Sequence, residues 1–212
     1  MKKSEIKYKK KIYYSSIFVN LVKLITPIIL FFLKTKITNV QGKIPSNGPL
    51  LIAAHHEELA DQYIINAQIK RRLFWVADTT PFGVCLADTF FIKWLMLKLG
   101  AIPIDKRNPK RNVNLFCYLV YLLGKGEAIV FFPESYIRSE REGKRFGEFK
   151  DGIVRLALEY EKRFNKRIPI YPIGLCYMGK GIKKVSISIG KAFFVSNLED
   201  KKRLFNEIKR LS

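Results

Sequence analysis

From residue 49 onward, short apolar runs alternate with longer segments of helical period, and this alternation restricts the chain more than any other feature. It is the signature of an α/β domain with a largely parallel central sheet flanked by helices. The spacing predicts strands over 49–54, 73–77, 101–104, 128–132, 168–175, 185–190 and 192–195, with a turn at "GKIPSNGP" (42–49) before the first of them. Helices are expected over about 59–70, 81–98, 109–123, 150–164 and 199–210, and Asn108–Pro109 is a good cap and first-turn pair.

Three polar clusters, "HHEELAD", "IDKRN" and "FPESYIRSE", each follow a predicted strand. Ligands of open α/β sheets bind beyond the carboxyl ends of the strands, so the three clusters are expected to converge on one crevice. The first holds both histidines of the chain. His56 and Asp61 are five residues apart, about 140° around a regular helix, so they meet only across a turn between a strand and the next helix. There the carboxylate can accept from one imidazole nitrogen, fix the tautomer and favour the imidazolium formed when the other nitrogen takes a hydroxyl proton. Taken alone, the pair fits a surface turn or a carboxylate at a helix start better than it fits a catalytic pair. A zinc site on His55 and His56 is disfavoured, because adjacent side chains of an extended segment point apart and no third His or Cys is near.

At 212 residues and 48% hydrophobic, the chain has the means to bury one domain's core. Its 39 basic against 18 acidic residues, a net +21, attract anionic partners of any kind: nucleic acid, lipid headgroups or an acidic carrier protein. No nucleic-acid recognition motif accompanies the charge. Cys85, Cys117 and Cys176 are odd in number, widely spaced and set in apolar stretches, and so read as buried free thiols in place of a disulfide or zinc framework. Phe82, Leu86, Phe90, Trp94 and Leu97 form a helical stripe that reads as core before acyl-chain lining, and Pro169 and Pro172 read as markers of an edge strand or turn.

Residues 1–35 are set apart as a helical membrane-associating segment, with 36–212 as the enzyme-sized domain. Six lysines precede Ser16, and the apolar run 17–33 carries Lys23 and Pro27 and is not followed by a cleavage site. The run is at the low edge of what spans a bilayer, and Pro27 is expected to break it near Thr26 into two short helices, an anchor dipping into one leaflet.

The order His56-x4-Asp61, then "GAIPIDKRN" (100–108), "FPES" (132–135) and "IPIYPIG" (168–174) resembles the glycerolipid acyltransferase family, especially its PlsC-like lysophosphatidic acid acyltransferases, over about residues 40–196. The resemblance implies a glycerol-3-phosphate acyltransferase-like fold. It also implies transfer of a fatty acyl group from a thioester of coenzyme A or acyl carrier protein to the hydroxyl of a lysophospholipid, first of all lysophosphatidic acid. His56 is then the general base and Asp61 its orienting partner. Lys106, Arg107, Glu134, Ser135, Arg138 and Lys150 are the substrate-binding candidates, with Arg141, Arg145 and Gly152 beside them. Lys106 stands where the family has arginine, Ser135 where it has glycine, and Arg138 one place later than the family's arginine. His55 replaces a common asparagine and Glu58 a common serine, and an extra carboxylate there would raise the basicity of His56 and repel an anionic acceptor.

The resemblance implies no cofactor, no metal and no covalent enzyme intermediate, and it places the protein at a membrane, on the cytoplasmic face of the inner membrane. Membrane lipids, the lysolipid and the acyl donor are the expected partners, with no nucleic acid. The rival readings are an acyltransferase for another lysolipid acceptor and a membrane-lipid-binding protein with a degenerate site.

Overall fold

The computed structural model describes residues 15–58, 60–78, 94, 96–104, 112–134, 144–179 and 182–212. Seven strands form one sheet: β1 (Thr35–Gln41), β2 (Leu50–Ala54), β3 (Leu73–Asp78), β4 (Ala101–Ile104), β5 (Ala128–Phe131), β6 (Ile170–Met178) and β7 (Lys183–Ile189). Their order is β1-β7-β6-β2-β5-β3-β4, and every neighbouring pair is parallel except β6–β7. The mostly parallel sheet expected from the alternation is therefore present. β2 lies near its middle, and all five of its residues are buried, because parallel strands are covered on both faces.

Two helical layers supply the cover. Leu51, Ala53 and Ile129 face α3 (Asn112–Gly124), α4 (Gly152–Phe164) and α5 (Asp200–Leu211), which contribute Leu122, Leu123, Ile153, Leu156, Leu204 and Ile208. Leu50, Ile52, Ala54 and Val130 face the other way, against α1 (Ser16–Phe32) and α2 (Asp61–Gln68), through Leu30, Ile64 and Ile65.

Four expectations are corrected. The segment 192–195 is not a strand; it makes a single antiparallel bridge, Phe193 to Ile170. β1 appears where none was predicted. Pro172 lies inside β6 between β2 and β7, in neither an edge strand nor a turn. It is tolerated because β7 ends at Ile189, opposite Ile173: the Pro172 carbonyl accepts from Gly190 N–H, and a Cβ on Gly190 would come within 2.7 Å of the proline ring. Finally, Pro27 does not break the first helix. α1 runs unbroken for 17 residues, capped by Ser15 and held at Lys23, whose ammonium donates to the Ile69 carbonyl, so the packing of its inner face on the domain outweighs the bond that proline removes.

Cys117 and Cys176, expected to be buried, are half-buried; Cys176 lies beyond the end of β2, where one neighbouring strand has stopped. Cys85, most of the expected helix 81–98 with Phe82, Leu86 and Phe90, and the Asn108–Pro109 cap lie outside the described residues. Among the described residues, no helix is long and apolar enough to cross a membrane.

Candidate active site

β2, β5 and β6 are adjacent and parallel, so their carboxyl ends open at the same edge of the sheet. The segment after β2 carries His55, His56, Glu57 and Glu58, and the segment after β5 carries Phe132, Pro133 and Glu134. β6 runs on past the end of β2 to bring up Tyr177. His55 N–H donates to the Ile173 carbonyl of β6, which carries the pairing one residue beyond β2.

His56 Nδ1 lies 3.0 Å from Asp61 Oδ2. The pair forms as the spacing requires, across the turn between the end of β2 and the first residue of α2. The same Oδ2 accepts from the backbone amides of Glu57 at 2.7 Å and Glu58 at 2.9 Å, while Oδ1 accepts from the Tyr177 hydroxyl at 2.5 Å. Asp61 is fully buried, and these donors offset the loss of water around its charge. The imidazole of His56 stacks on the Phe132 ring, centroids 4.0 Å apart and planes 19° apart, and Phe132 in turn stacks on Trp75. One side chain thus fixes the edge of the ring and another its face. Tyr177 is held in the phenol form, its pKa driven far above the ordinary value by burial and by the facing Asp61.

His55 is turned away from His56 and is completely buried. Its Nδ1 lies 2.6 Å from Glu134 Oε1 and its Nε2 2.8 Å from Glu57 Oε2. Glu134 Oε2 accepts from the Gly147 amide at 2.7 Å, and the Lys150 amide donates to the Pro133 carbonyl, so the 147–150 stretch is fastened to the segment after β5.

Among the expected substrate-binding residues, Glu134 is 2% exposed, with each oxygen hydrogen-bonded inside the protein. Lys150 projects outward and pairs with Glu148, whose carboxyl it holds below the usual range. Arg145 reaches Cys176 near the end of β6 and the Ser212 carbonyl, and its guanidinium lies over Phe146. Lys106, Arg107, Ser135, Arg138 and Arg141 lie outside the described residues. Glu58 is not left as a lone carboxylate beside His56: Lys183, at the start of β7, meets it at 2.5 Å. Among the described residues, no group of three or more His, Cys, Asp or Glu is arranged to hold a metal ion.

Sequence reasoning overlooked Tyr177, Lys183 and the structural part played by Glu57. Glu57 lay in a cluster already singled out, but nothing local marks Tyr177 or Lys183, because the strand order alone brings them to the site.

Comparison with known proteins follows the same lines. A family described as Acyltransferase matches residues 37–176. A chloroplastic 1-acyl-sn-glycerol-3-phosphate acyltransferase of Brassica napus is 25% identical over 149 residues, 70% of this chain and 39% of its own length. A second such enzyme, from Arabidopsis thaliana, is 24% identical over 70% of this chain and 38% of its own length. The chain therefore spans well under half the length of these curated relatives. In three dimensions it matches the crystal structure of the 1-acyl-sn-glycerophosphate acyltransferase PlsC of Thermotoga maritima, with a TM-score of 0.67 and 18% identity over 91% of this chain and 77% of that one.

Proposed function

The chain belongs to the Acyltransferase family, and from that premise we propose that it transfers a fatty acyl group from a thioester donor to the hydroxyl of a lysophospholipid, with lysophosphatidic acid, giving phosphatidic acid, as the first-choice acceptor. The observation that carries this reading is the His56–Asp61 pair at 3.0 Å, with Tyr177 behind it, at the carboxyl edge of a parallel sheet.

Asp61 holds the proton on Nδ1, so Nε2 is the atom that accepts the proton of the acceptor hydroxyl. The oxygen so activated attacks the thioester carbonyl. As the tetrahedral intermediate collapses, the C–S bond breaks, the thiolate departs, and the imidazolium returns its proton to the sulfur. The stabilising partner throughout is the Asp61 carboxylate, which faces the positive charge that develops on the ring. The nucleophile comes from the substrate, and no enzyme serine is needed.

For the acceptor phosphate the proposed ligands remain Lys106, Arg107, Ser135, Arg138 and Lys150, with Arg145 beside the end of β6. Arg107 and Arg138 are suited to a bidentate grip that Lys106 cannot make. The excess of 39 basic over 18 acidic residues suits an anionic acceptor and either donor carrier, since coenzyme A and an acidic carrier protein are both polyanions.

The proposed seat on the membrane is α1. Ile17, Leu21, Leu24, Ile28 and Phe31 follow one another at three- and four-residue steps, and each is at least half exposed. The opposite face, Val19, Val22, Thr26 and Leu30, is buried on the domain. A helix apolar on both faces and packed on one has its other face available to acyl chains, lying in the plane of the interface.

Purified protein given radiolabelled acyl-CoA or acyl carrier protein and a panel of lysolipids tests the reading. Labelled diacyl product is expected, and His56→Ala should abolish it while leaving lipid binding intact. Lipid binding with no product from any acceptor would identify a degenerate binder instead.

A further inference from the structure

The family resemblance gives no role to the histidine that precedes the proposed base, and an asparagine is common at that position. Here the ring of His55 is fully buried and sits between two carboxyl groups, Nδ1 at 2.6 Å from Glu134 and Nε2 at 2.8 Å from Glu57. A neutral imidazole has one N–H and one lone pair. Two contacts this short to carboxyl oxygens need a proton in each, since a lone pair facing an oxygen at that distance is repulsive and a buried polar contact left unmade is costly. Either the ring carries both protons or one of the glutamates is protonated.

We infer that His55 is a positioning residue, a buried imidazolium that donates to Glu57 and Glu134 together and so locks the segments after β2 and β5 into one wall behind His56. Glu57 is the residue after the proposed base, and its amide donates to Asp61. Glu134 is two residues after Phe132, on which His56 stacks. The ring thus joins the two sides of the proposed base, and Glu134 extends the link to the 144–150 segment through Gly147 N–H.

The two carboxyl groups favour the charged ring. Burial by itself pushes the His55 pKa down, but the hydrogen bonds and attraction of Glu134 and Glu57 outweigh it, and the net displacement is upward. The Phe146 ring lies against His55 at 4.8 Å, with Arg145 and Lys209 over that phenyl ring, and from β6 the Cys176 thiol meets Arg145. Because the folded pKa is raised, the clasp is complete below the ordinary imidazole value and is lost as pH rises through the folded one. The inference bears on acyl transfer only through the proposed role of His56; the protonation of His55 stands or falls separately.

The test is nitrogen NMR of the full-length protein labelled with 15N-histidine. The chain has two histidines, so His55→Asn assigns both ring systems. Both nitrogens of His55 are expected at imidazolium shifts, each with an observable N–H, at a pH near the ordinary imidazole pKa, with deprotonation only at higher pH than for a free ring. In Glu134→Gln, which keeps the shape but removes one charge, the ring should titrate at lower pH than in the wild type. The kinetic counterpart in His55→Asn is a fall of about tenfold in kcat with KM little changed, and loss of the alkaline decline in rate that parallels His55 deprotonation. One pyridine-like and one pyrrole-like nitrogen on His55 in the folded wild type, with the second proton on a carboxyl, would overturn the inference whether or not the enzyme is active. A protein that fails to transfer acyl groups but shows the imidazolium signature, shifted as expected in Glu134→Gln, refutes the proposed reaction and retains the clasp.

Discussion

The Tyr177 hydroxyl donates to Asp61 Oδ1 at 2.5 Å, joining residues 116 positions apart. It occupies the oxygen that His56 does not use, so both oxygens of a fully buried carboxylate are held by donors from different elements. A carboxylate fixed in this way cannot rotate away when the facing imidazole gains or loses a proton, and the geometry of the proposed base is retained through the reaction cycle.

Replacing Tyr177 by phenylalanine removes that donor and leaves Asp61 Oδ1 buried. A loss of about 1–3 kcal/mol in stability is expected from the unmade bond. With the carboxylate less well held, kcat should fall roughly tenfold while KM changes little. Because the phenol stays protonated across the working range, the wild-type rate profile should have no limb assignable to Tyr177, so the phenylalanine variant should keep the same profile shape. Denaturant unfolding together with steady-state kinetics checks both parts.

Asp61→Asn makes a narrower point. The Glu57 and Glu58 amides both aim at the Oδ2 position, so the asparagine oxygen must sit there and its NH2 must turn toward Tyr177, whose hydroxyl can accept. The amide oxygen still faces His56 Nδ1 and the tautomer is kept, but the charge that stabilises the imidazolium is gone. Loss of that electrostatic support is expected to lower kcat by roughly 10²–10³-fold, in a protein whose fold, checked by circular dichroism, is intact. An unchanged rate would mean that Asp61 supports the fold alone.

Much of this arrangement was legible in the sequence. β2, β5 and the part of β6 that pairs with β2 are apolar because the sheet is covered on both faces there, and the apolar spacing locates them to within a few residues. β1 was not found because it lies at the sheet edge and exposes most of its residues, so its sequence carries no apolar signal. The aromatic run 192–195 carries that signal without the pairing. The pairing of His56 with Asp61 followed from local spacing. The contacts of Asp61 with Tyr177 and of His55 with Glu134 span 116 and 79 residues and depend on which strands lie side by side, an order that apolar periodicity does not encode.

Glu58 and Lys183 make a prediction about the acceptor. Their contact is at the surface, each side chain about two-fifths exposed, so its effect on stability should not exceed about 1 kcal/mol. Its effect on substrate should be larger, because Lys183→Met leaves the Glu58 carboxylate uncompensated two residues from His56. KM for lysophosphatidic acid is expected to rise several-fold with kcat nearly unchanged, and Glu58→Gln should lower it. A zwitterionic or uncharged lysolipid should show neither change, and both should shrink as ionic strength increases. Equal effects on charged and uncharged acceptors would rule out the electrostatic origin.

The outer face of α1 supplies the last prediction. Leu24, Ile28 and Phe31 are 75%, 57% and 77% exposed, so changing all three to glutamine removes no core contact and should leave the unfolding midpoint within a degree or two of the wild type. Each large apolar side chain withdrawn from an acyl environment gives up about 1–2 kcal/mol, so the triple variant should bind vesicles containing anionic lipid at least 10²-fold more weakly. Leu30→Ala is the converse: Leu30 is 6% exposed and part of the core with Ile64 and Ile65, so it should destabilise the fold by about 2–4 kcal/mol and leave vesicle binding of the folded protein unchanged. Vesicle flotation with purified proteins separates the two faces. If the triple variant floats with the vesicles as well as the wild type does, α1 is not the seat on the membrane, and the basic surface alone must hold the protein there.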